Sequence, residues 1–120
     1  MKNMSIESAF GWIKVNGENY EKDIVIHSDG SITKREKKKS KDLKSNYGHT
    51  PLSERELEFL PKEQFDVVYV GTGHEASLPI TTEAREILAK YESVILPTPE
   101  VIKEIERERR KFVAIIHITC

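Results

Sequence analysis

The sequence predicts an α/β protein, a single three-layer domain on a mixed β-sheet, with an N-terminal antiparallel β-meander and a parallel βαβαβ core covered by helices. Three observations predict it. First, Val67–Val70 and Phe112–Thr119 are almost continuously apolar and rich in β-branched residues, which suits strands covered on both faces and hence parallel pairing. Second, the stretches between them alternate capped helix starts with a further strand-like run, Ser93-Val94-Ile95-Leu96, as successive right-handed crossovers require. Third, the short apolar runs ahead of them are punctuated by Asn16-Gly17 and Asp29-Gly30, which mark tight antiparallel turns.

In chain order, Met1 to Ala9 carry no strong pattern. Phe10 to Tyr20 reads as a hairpin, because both central residues of a type I′ turn need positive φ and Asn16-Gly17 tolerates it. Asp23–His27 and Ser31–Thr33 flank a second turn at Ser28-Asp29-Gly30. From Lys34 to Lys44 there are seven basic residues against two acidic ones. That run reads as a solvated, mobile loop able to attract phosphate, RNA or an acidic partner. No aromatic residue lies within it, so it lacks a base-stacking platform.

Leu52-Ser53-Glu54-Arg55-Glu56-Leu57 is a helix start in which Ser53 and Glu56 form a capping box and Leu52 staples onto Leu57, with Pro61 ending the helix early. Thr81-Thr82-Glu83 opens a second helix through about Lys90, with Ala84, Ile87, Leu88 and Tyr91 on one stripe. Thr98-Pro99-Glu100 reads as N-cap, N1 and N2 of a third, with Val101, Ile102 and Ile105 as its apolar face and Glu104–Arg107 and Glu106–Arg110 as solvent-side pairs.

One hundred and twenty residues make one domain, 1–120, large enough for a single core without staples. A net charge of −1 argues against a dedicated nucleic-acid binder. Cys120 is the only cysteine, no apolar run reaches the roughly 18 residues of a membrane span, and Met1-Lys2-Asn3-Met4 leads into no signal-peptide core. The expected location is the cytoplasm. Thirteen lysines and sixteen glutamates against one glutamine match the bias of hyperthermophile proteins and predict a thermophilic source.

Parallel pairing would gather Gly71-Thr72-Gly73-His74-Glu75, Pro97-Thr98-Pro99 and His117-Ile118-Thr119-Cys120 at one sheet edge, where α/β proteins bind ligands. Free amides of a glycine turn and of a helix N-terminus make an anion-binding concavity. Gly71, Thr72, Gly73, His74, Thr98 and Thr119 are therefore the candidate ligand-binding residues, and a small anion, carboxylate or phosphate, is the expected ligand. On that expectation a bulky residue at Gly73 abolishes binding and leaves the fold intact. The plainer alternative is that both glycines only turn the chain.

Gly71-Thr72-Gly73-His74-Glu75-Ala76 matches G-x-G-x-x-A, but Pro79 and the Thr81-Thr82 cap postpone the helix and Leu96-Pro97-Thr98 offers no acid for a ribose, so a dinucleotide site is rejected. No cofactor motif is present. His27, His49, His74 and His117 show no zinc spacing, and no metal is expected. His117 and Cys120, three apart on a strand, face opposite sides, and His117 reads as a hydrogen-bonded core histidine. His74 or Glu75 is the acid/base candidate if the protein is an enzyme, with Thr72, Thr98 and Cys120 as the only nucleophiles nearby. The sequence assigns no catalytic residue.

Phe10-Gly11, Gly17…Tyr20, Asp23-Ile24-Val25-Ile26, Asp29-Gly30, Val70-Gly71-Thr72-Gly73 and Ala114-Ile115-Ile116-His117-Ile118-Thr119-Cys120 together resemble the adipogenesis-associated domain family, which includes mitochondrial complex I assembly factor 3. The likeness covers nearly the whole length, and the last seven residues are similar to its archaeal branch. It implies a three-layer α/β domain with a mixed sheet and a glycine-turn pocket, no established enzymatic activity, and, for the mitochondrial relatives, assembly through protein contacts. Two positions depart from the pattern. Tyr47-Gly48-His49-Thr50-Pro51 stands where the archaeal branch has Tyr-Gly-Thr-Ser-His, and Pro99 stands where a cysteine sometimes follows the threonine of the third helix.

Together these features favour a non-catalytic binding or assembly-type protein holding a small anionic ligand or a protein partner's side chain at the Gly71–Glu75 edge. The alternative is an enzyme using His74 or Glu75. RNA binding through Lys37, Lys38 and Lys39 is a third class, disfavoured by composition.

Overall fold

A computed structural model describes residues 4–120. Strands β1 (Ile6–Ala9), β2 (Trp12–Val15) and β3 (Glu18–Tyr20) form a three-stranded antiparallel sheet. The β2–β3 turn has positive φ at Asn16 (51°) and Gly17 (87°), as the Asn-Gly pair predicts. Strands β4 (Ile24–Ile26), β5 (Ile32–Lys34), β6 (Val67–Thr72), β7 (Ser93–Leu96) and β8 (Phe112–His117) form a second sheet in the order β5-β4-β8-β6-β7. β6 pairs in parallel with both β7 and β8, while β4 runs antiparallel to β8 and β5. The parallel core is the expected one.

The first third is not one continuous meander, because its strands divide between the two sheets. The separation falls at Asp23, whose carboxylate accepts the Ile118 amide and bonds to His117. These bonds pin β4 beside β8 instead of β3. β1 had no clear pattern because only Ile6 of its four residues is buried. Its pairing partner, not its composition, makes it a strand.

The buried runs divide by the strand period of two. Ile24, Ile26, Val67, Tyr69, Ala114 and Ile116 pack on one side of the large sheet, against the small sheet and against Val101, Ile102 and Ile105. Val25, Val68, Val70, Val113 and Ile115 pack on the other, against Leu52, Leu57, Leu60, Ala84 and Leu88. The result is three layers. Complete burial of each large aliphatic chain is worth roughly 1.5–3 kcal/mol, so both faces of the central strands contribute.

Among the described residues, α1 (Lys44–Tyr47) is exposed along its length, while α2 (Thr82–Leu88) and α3 (Thr98–Arg107) pack in the outer layers. The Ser53–Glu56 capping box forms, but it opens a 3-10 turn, Glu54–Leu57, followed by a second at Leu60–Lys62. Pro61 cannot donate to a continuing helix. Thr98 is not the N-cap of α3; Pro97 is, and Thr98 lies inside the first turn with its hydroxyl committed to neighbouring strands. The Lys34–Lys44 run carries its six lysines exposed, as expected, but it is not an irregular loop. It winds into a 3-10 helix, Lys37–Leu43, and Arg35 just before it is 1% exposed.

Past α3, Glu108 accepts from the Arg110 guanidinium and from the Tyr69 hydroxyl. The Arg110 hydrogen bond is the main influence, burial opposes it, and the Glu108 carboxyl is held down at about 2 against an ordinary 4.5. A depressed carboxyl contributes stability that is complete above its unfolded value and is lost as pH falls toward the folded one. Glu108→Gln is therefore expected to flatten the decline of Tm between about pH 4.5 and 2. Melting curves across that range check it, and an unchanged acid limb would contradict it.

Candidate functional site

The carboxyl ends of β6, β7 and β8 bring Gly71–Gly73, Leu96–Thr98 and His117–Cys120 together, as parallel pairing predicts. Their amides, however, already have partners within the chain. The Gly73 amide donates to Thr98 Oγ1 at 2.9 Å. The His74 amide donates to the Thr119 carbonyl at 2.8 Å, and those of Glu75 and Ser77 both reach the Cys120 carbonyl at 2.9 Å. At the start of α3, the Thr98 amide donates to the Gly73 carbonyl at 3.0 Å. The expected concavity is thus filled by residues 119–120.

Both glycines are explained by close approach, of Thr98 at Gly71 and of Cys120 at Gly73. A Cβ at Gly71 would lie 2.8 Å from Thr98 Oγ1, and one at Gly73, where φ is +101°, would lie 2.2 Å from the Cys120 carbonyl carbon. Thr98 Oγ1 donates onward to the His117 carbonyl at 2.6 Å and Thr72 Oγ1 to the Leu96 carbonyl at 3.2 Å. Gly71, Thr72, Gly73 and Thr98 therefore bolt three strand ends together. His74 points its Nε2 at Ser8 Oγ, 3.5 Å away on β1, and Glu75 is exposed.

Of the six, Thr119 lines a cleft. The cleft has a volume of about 380 Å³ and lies between the β3–β4 connection, the segment after β5 and Ile118-Thr119. Lys22, Lys34, Lys37 and Lys38 line it with Glu21 and Glu36, above Asp23 and Arg35. Five basic side chains thus face three acidic ones, in a chain whose net charge is −1.

Beneath the lysines lies a buried charge network. Arg35 grips Glu56 with two parallel bonds, Nε to Oε1 at 2.7 Å and Nη2 to Oε2 at 3.1 Å, and donates from Nη1 to Asp23 Oδ2 at 2.9 Å. Its Nη2 also reaches the Pro51 carbonyl, and Ser40 donates to Glu56. This planar two-pronged geometry is what guanidinium offers and ammonium does not. Asp23 Oδ2 also accepts from His117 Nδ1 at 2.8 Å, while Oδ1 takes the Ile118 amide at 2.9 Å. Burial would raise the Asp23 carboxyl. The bonds to His117 and Ile118 and the positive charge of Arg35 outweigh it and hold Asp23 below the usual carboxylate range.

His117 is thus the hydrogen-bonded histidine the sequence suggested. Its remaining ring nitrogen, Nε2, lies 3.2 Å from Thr119 Oγ1. Asp23, Arg35 and Glu56 escaped sequence reasoning. The available signal was Arg35 itself, the one arginine in the Lys34–Lys44 run. Among the described residues, no group of three or more His, Cys, Asp or Glu is placed to hold a metal ion.

Solved structures resemble this one along nearly its whole length. A conserved hypothetical protein from Pyrococcus horikoshii OT3, PH1505, is 36% identical over 98% of this chain and 100% of its own, with a TM-score of 0.83. MT938 is 33% identical over 100% of both chains, with a TM-score of 0.78. The chain belongs to the family of PH1505 and MT938. A Bordetella parapertussis protein, 18% identical over 98% of each chain at a TM-score of 0.53, shares the fold alone. No protein-family model and no curated protein matches. The names of the PH1505 family's solved members assign no function, so the residues of the cleft carry the functional argument.

Proposed function

We propose that this protein binds a small anion, a carboxylate or phosphate, in the cleft bordered by Lys22, Lys34, Lys37 and Lys38. The reading keeps the ligand class the sequence suggested and moves its place, since the glycine turn spends its amides on Thr98, Thr119 and Cys120. The observation that carries it is the excess of basic side chains around a concave opening of about 380 Å³. Ammonium groups clustered at such an opening raise the local concentration of anions. The acidic side chain of a protein partner presents the same chemistry, and this is the form that the assembly role suggested by the adipogenesis-associated domain family would take. Cytoplasmic location and a thermophilic source belong to the same reading. In its support, no helix among the described residues is long and apolar enough to cross a membrane, and the Lys- and Glu-rich composition accompanies a relative from Pyrococcus.

Thermal-shift titration with succinate and with inorganic phosphate tests the proposal. A ligand at 100 times its Kd stabilises by about 2.7 kcal/mol, so a saturable rise in Tm is expected, weakened by added salt. The double variant Lys37→Glu/Lys38→Glu is expected to lose it and His74→Ala to keep it. A rise that survives the double variant, or no rise with either anion, would overturn the assignment.

A further inference from the structure

We infer that Thr119, on the wall of this cleft, forms a nucleophile relay with the buried His117 behind it and with Asp23, and that the site hydrolyses a small, negatively charged carboxylic ester or thioester. The inference rests on the anion-binding reading for the substrate's charge and on separate geometry for its chemistry. A hydroxyl becomes a nucleophile when a base is within hydrogen-bond reach and a third group fixes that base. Here the two distances are 3.2 Å from Thr119 Oγ1 to His117 Nε2 and 2.8 Å from His117 Nδ1 to Asp23 Oδ2.

The orientation follows from the partners. Asp23 Oδ2 accepts from Arg35, and Oδ1 is taken by the Ile118 amide. A carboxylate in that position accepts the proton on His117 Nδ1, which leaves the Nε2 lone pair directed at the threonine hydroxyl. Asp23 is thus a positioning residue, while Thr119 and His117 meet the reacting atoms. Thr119 lies two residues on, just past the end of β8 at His117, and its hydroxyl comes back to the His117 ring. Thr119 is half-buried and lines the cleft together with Ile118 and Asp23. A histidine serving only to tie β8 to β4 has no need of a hydroxyl at its second nitrogen.

In the reaction Thr119 Oγ bonds to the substrate carbonyl carbon as its proton passes to His117 Nε2, and the carbonyl π pair moves onto oxygen. The lysines bordering the cleft supply the positive potential that favours the developing negative charge. Collapse breaks the bond to the leaving alcohol or thiol, which takes the proton from His117 and leaves an acyl ester on Thr119. Water then attacks that ester, losing its proton to His117, and the proton returns to Thr119 as the acid departs. Ester and water go in; acid and alcohol come out.

The test uses the full chain and p-nitrophenyl hemisuccinate, an activated ester bearing one carboxylate. Release of p-nitrophenolate is expected, with the succinyl group found on Thr119 by peptide mass spectrometry after acid quench. Thr119→Val is expected to lose on the order of 100-fold or more in rate while still binding succinate, and Thr119→Ser to restore turnover. Cys120→Ala is expected to retain it. Asp23→Asn should lower kcat with KM kept, which a purely structural role would not produce in a variant that still binds succinate. Succinyl groups only on Cys120 or lysines, or wild-type turnover by Thr119→Val, would overturn the relay. Succinate binding without turnover overturns the relay and leaves the anion site standing; loss of both removes the two together.

Discussion

Arg35→Met is expected to destabilise the protein by roughly 3–5 kcal/mol, the cost of breaking a buried ion pair from one side. The guanidinium is 1% exposed, and its partners Asp23 and Glu56 have side chains 4% and 3% exposed. Without Arg35 two carboxylates remain in the interior with too few donors. Methionine fills comparable volume, so the loss reports charge and not a cavity. At this chain length the shift in Tm should be about 10–20 °C. Adding Asp23→Asn and Glu56→Gln to Arg35→Met should recover part of the loss, because no unpaired carboxylate then remains. Denaturant melts of the single and triple variants check this, and a single variant within about 1 kcal/mol of the parent, the scale of an exposed pair, would show that the network contributes little.

Gly73→Ala is the second large effect, and its sign separates two views of the glycine turn. If the turn cradled a ligand, alanine would spoil binding and spare the fold. The geometry says otherwise, because the new Cβ would sit 2.2 Å from the Cys120 carbonyl carbon and 2.5 Å from its oxygen, on backbone with φ of +101°. Strained backbone and overpacking each cost about 1–3 kcal/mol, so a loss of about 3–5 kcal/mol is expected. The Ile118–Cys120 segment should loosen with it, since the His74, Glu75 and Ser77 amides lose their acceptors. Gly30→Ala is the matched control. Its φ is +89° and a Cβ there meets nothing within 4 Å, so only the left-handed penalty of about 1–2 kcal/mol applies. Equal losses at the two glycines, read from melts and from amide exchange at 74–77, would contradict the account.

What the sequence made legible were the features whose cause is local. Four consecutive apolar residues at Val67–Val70 specify a strand covered on both sides, and the two faces divide as a period of two demands. Asn16-Gly17 chose its turn type, and Ser53 with Glu56 chose its capping box. The site resisted for the opposite reason. His117 and Asp23 are 94 residues apart, and Arg35 and Glu56 are 21 apart. Neither spacing has a period that composition could reveal. An empty glycine turn and a filled one look alike in sequence, because the carbonyls of Thr119 and Cys120 meet the His74, Glu75 and Ser77 amides only in the folded chain. Thr119 stands among the six candidate residues, but its bond to His117 forms just beyond the end of β8, where no motif or strand period marks it.

The central claim is that anions enter beside the lysines and not at the glycine turn, and an amide-resolved NMR titration with succinate tests it most directly. The account predicts saturable shifts at Lys22, Asp23, Lys38 and Thr119, around the cleft, with smaller changes at Gly73–Glu75 passed on through the Thr119 and Cys120 carbonyls. Large shifts at Gly73–Glu75 with the cleft amides unmoved would return the ligand to the glycine turn and contradict it.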